Sequence, residues 1–175
     1  MRIVAGELGG RRLHAPSGRG TRPTADRVRE ALFSILGDVS GARVLDLYAG
    51  SGALGIEALS RGAVAADFVD SGRRAVEAIR RNLTELGREG EVHRRDVLGW
   101  LAQAAGERTY DLVFCDPPYD SAGPLAGPLS KRLPALLTES ARIVTESDKR
   151  SPLGLPFPLL RERTYGDTRI AVYRV

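Results

Sequence analysis

Residues 44–70 read VLDLYAGSGALGIEALSRGAVAADFVD, and this stretch decides the fold. Val44–Tyr48 is a short apolar run of strand length. Gly50, Gly52 and Gly55 follow at G-x-G-x-x-G spacing, a helical stretch continues to about Arg61, and Ala65–Asp70 is a second strand. A glycine loop in this setting permits a tight turn, lets backbone approach a ligand, and lets the following helix sit near the sheet. Asp70 ends the second strand 20 residues after Gly50, where an acid accepts hydrogen bonds from ribose hydroxyls.

Working outward, the alternation continues. Arg73–Leu86 reads as a helix and Glu91–Arg94 as a third strand. Tyr110–Cys115 is a fourth, and a Pro-interrupted helical region at about 124–138 leads to a strand at Ala141–Glu146. Leu159–Tyr165 and Thr168–Val175 flank Gly166-Asp167 and read as a hairpin. Strands alternating with helices predict an α/β, Rossmann-like domain: a mainly parallel sheet covered on both faces, with an antiparallel hairpin at its C-terminal end. Upstream, residues 2–15 (RIVAGELGGRRLHA) read as two short strands around Gly9-Gly10, and residues 16–23 as a turn-rich loop. A helix is expected from Thr24, with Val28, Ala31, Leu32, Ile35 and Leu36 as its apolar stripe and Gly37 as its stop. The expected organisation is a basic arm over 1–23 and the α/β domain over 24–175, together one structural domain.

Two cofactors present an adenosine ribose to such a site, a nicotinamide dinucleotide and S-adenosylmethionine. Asp46 favours the second, because a carboxylate there engages an ammonium group and repels a pyrophosphate. Its other reading is an anchor that accepts the amides of the glycine turn. Tyr48 and Ser71 flank this loop and the ribose acid. Asp96 is a candidate for the adenine amino group and equally for the N-cap of a helix beginning at Val97.

Asp116-Pro117-Pro118-Tyr119 follows the fourth strand. Methylating an exocyclic amino group requires its lone pair to be freed from the ring and aimed at the methyl. A carboxylate at Asp116 and the Pro117 carbonyl each accept one N–H, two prolines hold those acceptors rigidly, and Tyr119 offers a face for a base taken out of its stack. Cys115 lies in the apolar strand, so a buried, inert thiol is expected. His14 and His93 stand alone, and no metal site is expected. Trp100 reads as core.

The 175 residues are 42% apolar and 27% charged, the composition of a soluble globular protein. One Cys excludes a disulfide framework, and no apolar stretch approaches the ~20 residues of a membrane helix. A reducing, cytoplasmic setting is expected. The net charge of +4 is unevenly placed: residues 1–25 hold five Arg against Glu7, and the remaining residues balance. That patch points to a polyanion such as nucleic acid, with Arg11, Arg12, Arg19, Arg22, Arg27 and Arg29 as candidate phosphate contacts.

VLDLYAGSGALGIEALSRGA resembles motif I of the class I S-adenosylmethionine-dependent methyltransferases, and DPPY resembles the catalytic motif of their amino-modifying branch. With RPTADRVREALF (residues 22–33) and the preceding GELGGRRL, nearly the whole chain resembles the RsmD-type 16S rRNA guanine-N2 methyltransferases. The resemblance implies a monomeric enzyme that methylates N2 of one guanine, guanine 966 in bacterial numbering, in an assembled or nearly assembled small ribosomal subunit. It carries cofactor binding onto Asp46, Gly50, Gly52, Asp70 and Asp96, and catalysis onto Asp116 through Tyr119. The family often has Glu where Asp70 stands, so the shorter side chain is expected to reach one ribose hydroxyl, and Asn where Ser34 stands. The alternatives are an N6-adenine methyltransferase of DNA or RNA, a use DPPY also serves, and a non-catalytic RNA-binding module on the same fold.

Overall fold

The computed structural model describes residues 1–16, 25–118 and 122–175. The elements are α1 (Asp26–Leu36), β1 (Arg43–Leu47), α2 (Ala53–Ser60), β2 (Ala65–Asp70), α3 (Arg73–Leu86), β3 (Glu91–Arg94), α4 (Val97–Ala104), β4 (Tyr110–Cys115), α5 (Ala122–Arg132), β5 (Leu137–Asp148), β6 (Leu159–Tyr165) and β7 (Thr168–Arg174). They build one seven-stranded sheet in the order β3-β2-β1-β4-β5-β7-β6. β1 to β5 are parallel, and β7 lies antiparallel between β5 and β6, as the terminal hairpin implies.

Side chains alternate across each strand, so the sheet carries two cores. Val44, Phe68, Phe114, Val144, Ile170 and Val172 meet α1, α2 and α3 on one face; Leu45, Val69, Val113, Ile143 and Ala171 meet α4 and α5 on the other. Burying each large side chain of these sets contributes roughly 1.5–3 kcal/mol. Gly55 sets how close α2 comes to the first face: a Cβ there would stand 2.4 Å from Cε1 of Phe68.

Several expected boundaries shift. α1 begins at Asp26, and Thr24 lies outside the described residues. α5 contains Pro128 and ends at Arg132, after which Leu133–Leu136 tighten into a 3-10 turn. β5 extends from Leu137, with the Thr138 hydroxyl donating to Asp111 at 3.1 Å, although its Thr-Glu-Ser start lacks strand-like alternation. The N-terminal hairpin reduces to a single antiparallel bridge, Arg2 to Arg12. The amides of Val4 and Ala5 donate instead to the buried Glu57 carboxylate, at 2.7 and 3.0 Å, so they are not available to a second strand.

α1 corrects one candidate contact. Its buried side carries Arg29, Leu32, Phe33 and Leu36, a stripe rotated from the expected one. Arg29 therefore does not face a polyanion. It is fully buried, and its Nη2 donates to Asp26 at 2.8 Å and to the Arg2 carbonyl. The N-terminal segment crosses this face and supplies acceptors that make burial of a guanidinium tolerable.

Candidate active site

The strand order reverses between β1 and β4, and an open α/β sheet binds ligands at the carboxyl ends of its strands at such a point. Asp46, Asp70, Asp116 and Glu146 gather there. Each lies two residues beyond a member of the first core, Val44, Phe68, Phe114 and Val144, so all four belong to the same face of the sheet. The sequence reading missed Glu146. Its only signal is register: Cys115 pairs with Thr145, which sets Glu146 beside Asp116.

The glycine loop is held from both ends. The Gly52 amide donates to the Ala49 carbonyl at 2.7 Å, and Gly50 and Gly52 take φ of 57° and 75°, the left-handed region that favours glycine. Tyr48 shares that region at φ 58°, the one such non-glycine among the described residues. Holding it there costs about 1–3 kcal/mol. Burial raises its phenol, with Cys115 and Asp96 adding to the effect.

Asp70 accepts the Gly50 amide at 2.9 Å through Oδ2 and the Gly72 amide at 2.7 Å through Oδ1. Asp46 is 2% exposed and takes the anchor role: its Oδ2 accepts the Gly55 amide at 2.9 Å. Burial raises its pKa, the Gly55 N–H opposes this and the Asp70 charge adds to it, leaving the group pushed up to about 8. Burial also raises Asp116 well above the usual carboxylate range, followed by the charges of Glu146 and Asp46. Asp116 keeps a partly exposed surface, and its amide donates to the Leu47 carbonyl at 3.4 Å. Pro117 is buried and Pro118 exposed, while Tyr119 lies outside the described residues.

Asp96 caps α4, accepting the Gly99 amide at 2.8 Å; Val97 starts that helix buried, and Ser71 is exposed after Asp70. Cys115 is buried, and burial pushes its thiol up, with Asp116 and Asp46 reinforcing the shift. A thiol so held is a poor nucleophile. No His, Cys, Asp and Glu group among the described residues is arranged to hold a metal ion.

The basic segment is tied to this site through Asn82, a second residue that the sequence reading missed. From α3, its Nδ2 donates to the Ser51 and His14 carbonyls, both at 3.0 Å, and its Oδ1 accepts the His14 amide at 2.8 Å. Arg11 is exposed and donates to the Glu85 carbonyl at 2.9 Å in the last turn of α3. Arg12 and Arg27 are exposed, and Arg19 and Arg22 lie outside the described residues.

A family model described as Conserved hypothetical protein 95 matches residues 1–174. Ribosomal RNA small subunit methyltransferase D of Escherichia coli (strain K12) is 36% identical over 99% of this chain and 89% of its own. A hypothetical protein of Thermus thermophilus superposes with TM-score 0.86 at 30% identity, covering 100% of this chain and 99% of that one. SMU.776, solved in complex with SAH, shares the fold at TM-score 0.70 and 18% identity over 86% of this chain and 49% of its own. Matched from end to end in sequence and in fold, the chain belongs to the ribosomal RNA small subunit methyltransferase D family.

Proposed function

We propose that the chain transfers a methyl group from S-adenosylmethionine to the exocyclic N2 of a guanine in 16S rRNA of the small subunit. The observation that carries this reading is the arc of carboxylates on one sheet face, Asp46, Asp116 and Glu146, beside a glycine loop closed by Asp70. Two of these carboxyls are driven toward their protonated form by burial first, Asp46 then by the Asp70 charge and Asp116 by those of Glu146 and Asp46, and a bound cation relieves that repulsion. A cofactor bearing a sulfonium and an ammonium fits such a site, and a dinucleotide pyrophosphate does not.

Asp46, the Gly50–Gly52 backbone, Asp70, Asp96 and the flanking Tyr48, Ser71 and Val97 hold the cofactor. When bound, it supplies an electrophilic methyl on a sulfonium. Asp116 and the Pro117 carbonyl accept the two N–H bonds of the guanine amine and turn its lone pair out of conjugation. Tyr119 stacks the base, an interaction worth roughly 1–3 kcal/mol. The guanine nitrogen would gain the methyl as the methyl–sulfur bond breaks to leave a neutral thioether, and the N–H made acidic by the new bond would then release its proton to solvent. The protein works as a cytoplasmic monomer with 16S rRNA as its partner. No helix among the described residues is long and apolar enough to cross a membrane.

Labelled methyl transfer to small subunits lacking their own modifications tests the reading, with the product base identified by nuclease digestion and mass spectrometry. N2-methylguanine in 16S rRNA is expected. Asp116→Ala abolishes transfer while calorimetric cofactor binding persists. Methylation at adenine N6, or normal turnover by the variant, would overturn the assignment.

A further inference from the structure

β6 is the edge strand of the sheet, bonded among the described residues to β7 alone. Residues 159–164 are exposed on both faces, whereas Ile170 and Val172 beside them on β7 are 1% and 2% exposed. No helix among the described residues covers β6, and its charges are sorted by side. Arg161 stands opposite Val172 and Arg163 opposite Ile170. Directly opposed residues share a face, so both arginines leave the sheet on the face that packs α1 and carries the carboxylates. On the reverse face Glu162 is neutralised by Arg169 at 2.6 Å. Neither Arg161 nor Arg163 is paired with a carboxylate among the described residues; Arg163 donates only to the Glu162 carbonyl, at 3.0 Å.

The register fixes their distance from the chemistry. Arg163, Ile170 and Glu146 form one row across β6, β7 and β5, and Glu146 lies beside Asp116. Three strand spacings separate the arginine from Asp116, about 14 Å of backbone. α1 descends the same face. Its last carbonyl, that of Leu36, accepts from Arg142 near the start of the β5–β7 ladder, and this sets exposed Arg27, in its first turn, toward the carboxyl ends of the strands. Exposed cations on α1 and on the hairpin thus lie to one side of the acidic site, and a polyanion threaded past that site meets both.

We propose that Arg161 and Arg163 hold the phosphate backbone of the RNA strand that carries the target nucleotide, making the α1-facing side of the hairpin a second RNA contact beyond the N-terminal arm. The inference rests on the function proposed above. Its competitor is that charge on an edge strand merely blocks sheet-to-sheet aggregation. Reversing the charge separates the two, because glutamate protects an edge as well as arginine does.

The test compares the full-length wild type with Arg161→Gln/Arg163→Gln and Arg161→Glu/Arg163→Glu, using small subunits as substrate. For the glutamine pair, KM rises about tenfold with kcat held, and the slope of log K for RNA against log salt becomes less negative by about 1.4. The glutamate pair raises KM further while staying monomeric in gel filtration, and S-adenosylhomocysteine binding by calorimetry is unchanged in both. A glutamate pair that matches wild type in KM and salt slope overturns the proposal and leaves the edge role. If the wild type itself does not methylate small subunits, the proposed function fails first and takes this surface with it.

Discussion

Asp70 closes the glycine loop onto the end of β2: its Oδ2 accepts the Gly50 amide at 2.9 Å. The same side chain takes the Gly72 amide through Oδ1, so one carboxylate fixes the turn after β1 and the entry to α3. Asp70→Ala leaves both amides without their acceptor. A stability loss of about 1–3 kcal/mol is expected, together with a weaker cofactor complex. Thermal unfolding and calorimetry with S-adenosylhomocysteine measure the two, and wild-type values in both would remove Asp70 from the site.

Asp46 makes stability depend on pH in an unusual direction. Its folded pKa of about 8 lies above that of an ordinary carboxylate, so the native state keeps a proton that the unfolded chain releases. Its contribution is therefore complete at acid pH and declines as pH rises from about 4 toward 8. Asp46→Asn flattens this part of the profile. Urea unfolding across that range shows it, and identical wild-type and variant slopes would contradict it. A cationic ligand favours the ionised carboxylate, so binding near neutrality releases protons, visible as a calorimetric enthalpy that changes with the buffer.

Arg29 and Arg27 sit two residues apart on α1 and separate architecture from electrostatics. Buried Arg29 holds Asp26 and the Arg2 carbonyl, and Arg29→Ala is expected to cost about 2–4 kcal/mol. Exposed Arg27→Ala leaves melting unchanged and makes the salt slope of RNA binding less negative by about 0.7. Melting curves and salt titrations that reverse this pattern would restore Arg29 to the interface.

Gly55→Ala tests helix packing on the sheet. The added methyl meets Phe68 at 2.4 Å and comes within 3.2 Å of the Asp46 carboxylate. Overpacking of this kind costs about 1–3 kcal/mol, and it disturbs the amide that Asp46 accepts. Gly99→Ala, whose Cβ would find only the Asp96 carboxylate at 3.5 Å, serves as the control. Equal melting temperatures for the two variants would show that α2 has room to move away.

The α/β alternation was legible because its strands are short, buried apolar runs and its turns carry glycine or proline. Asp96 as a cap, Cys115 as a buried thiol and Trp100 as core followed from residue type and position. What depends on distant partners was not legible. Arg29 lies at i, i+3, i+4 and i+7 spacing with Leu32, Phe33 and Leu36, yet its burial depends on acceptors that the spacing does not show, among them the Arg2 carbonyl, the Asp26 carboxylate and the Met1 sulfur. Glu57 draws away the amides that a hairpin would have used. Glu146 reaches the site through strand register, and Asn82 through contacts with segments far from it in the chain.

The anchoring of the N-terminal segment also orders events in time. Val4 and Ala5 dock on Glu57, more than 50 residues later in the chain, and His14 docks on Asn82, 68 residues later. During synthesis the segment is made before anything exists to receive it. It must stay unattached while the first strand, its glycine turn and α2 and α3 emerge and collapse, since domains fold as their partners become available. Its contacts span fewer residues than that of Arg142 with the Leu36 carbonyl, 106 residues apart, so the segment can attach before the sheet is complete. Asp116 and Glu146 emerge later still, after both Glu57 and Asn82, so the basic segment has its receptors before the carboxylates at the ends of β4 and β5 exist.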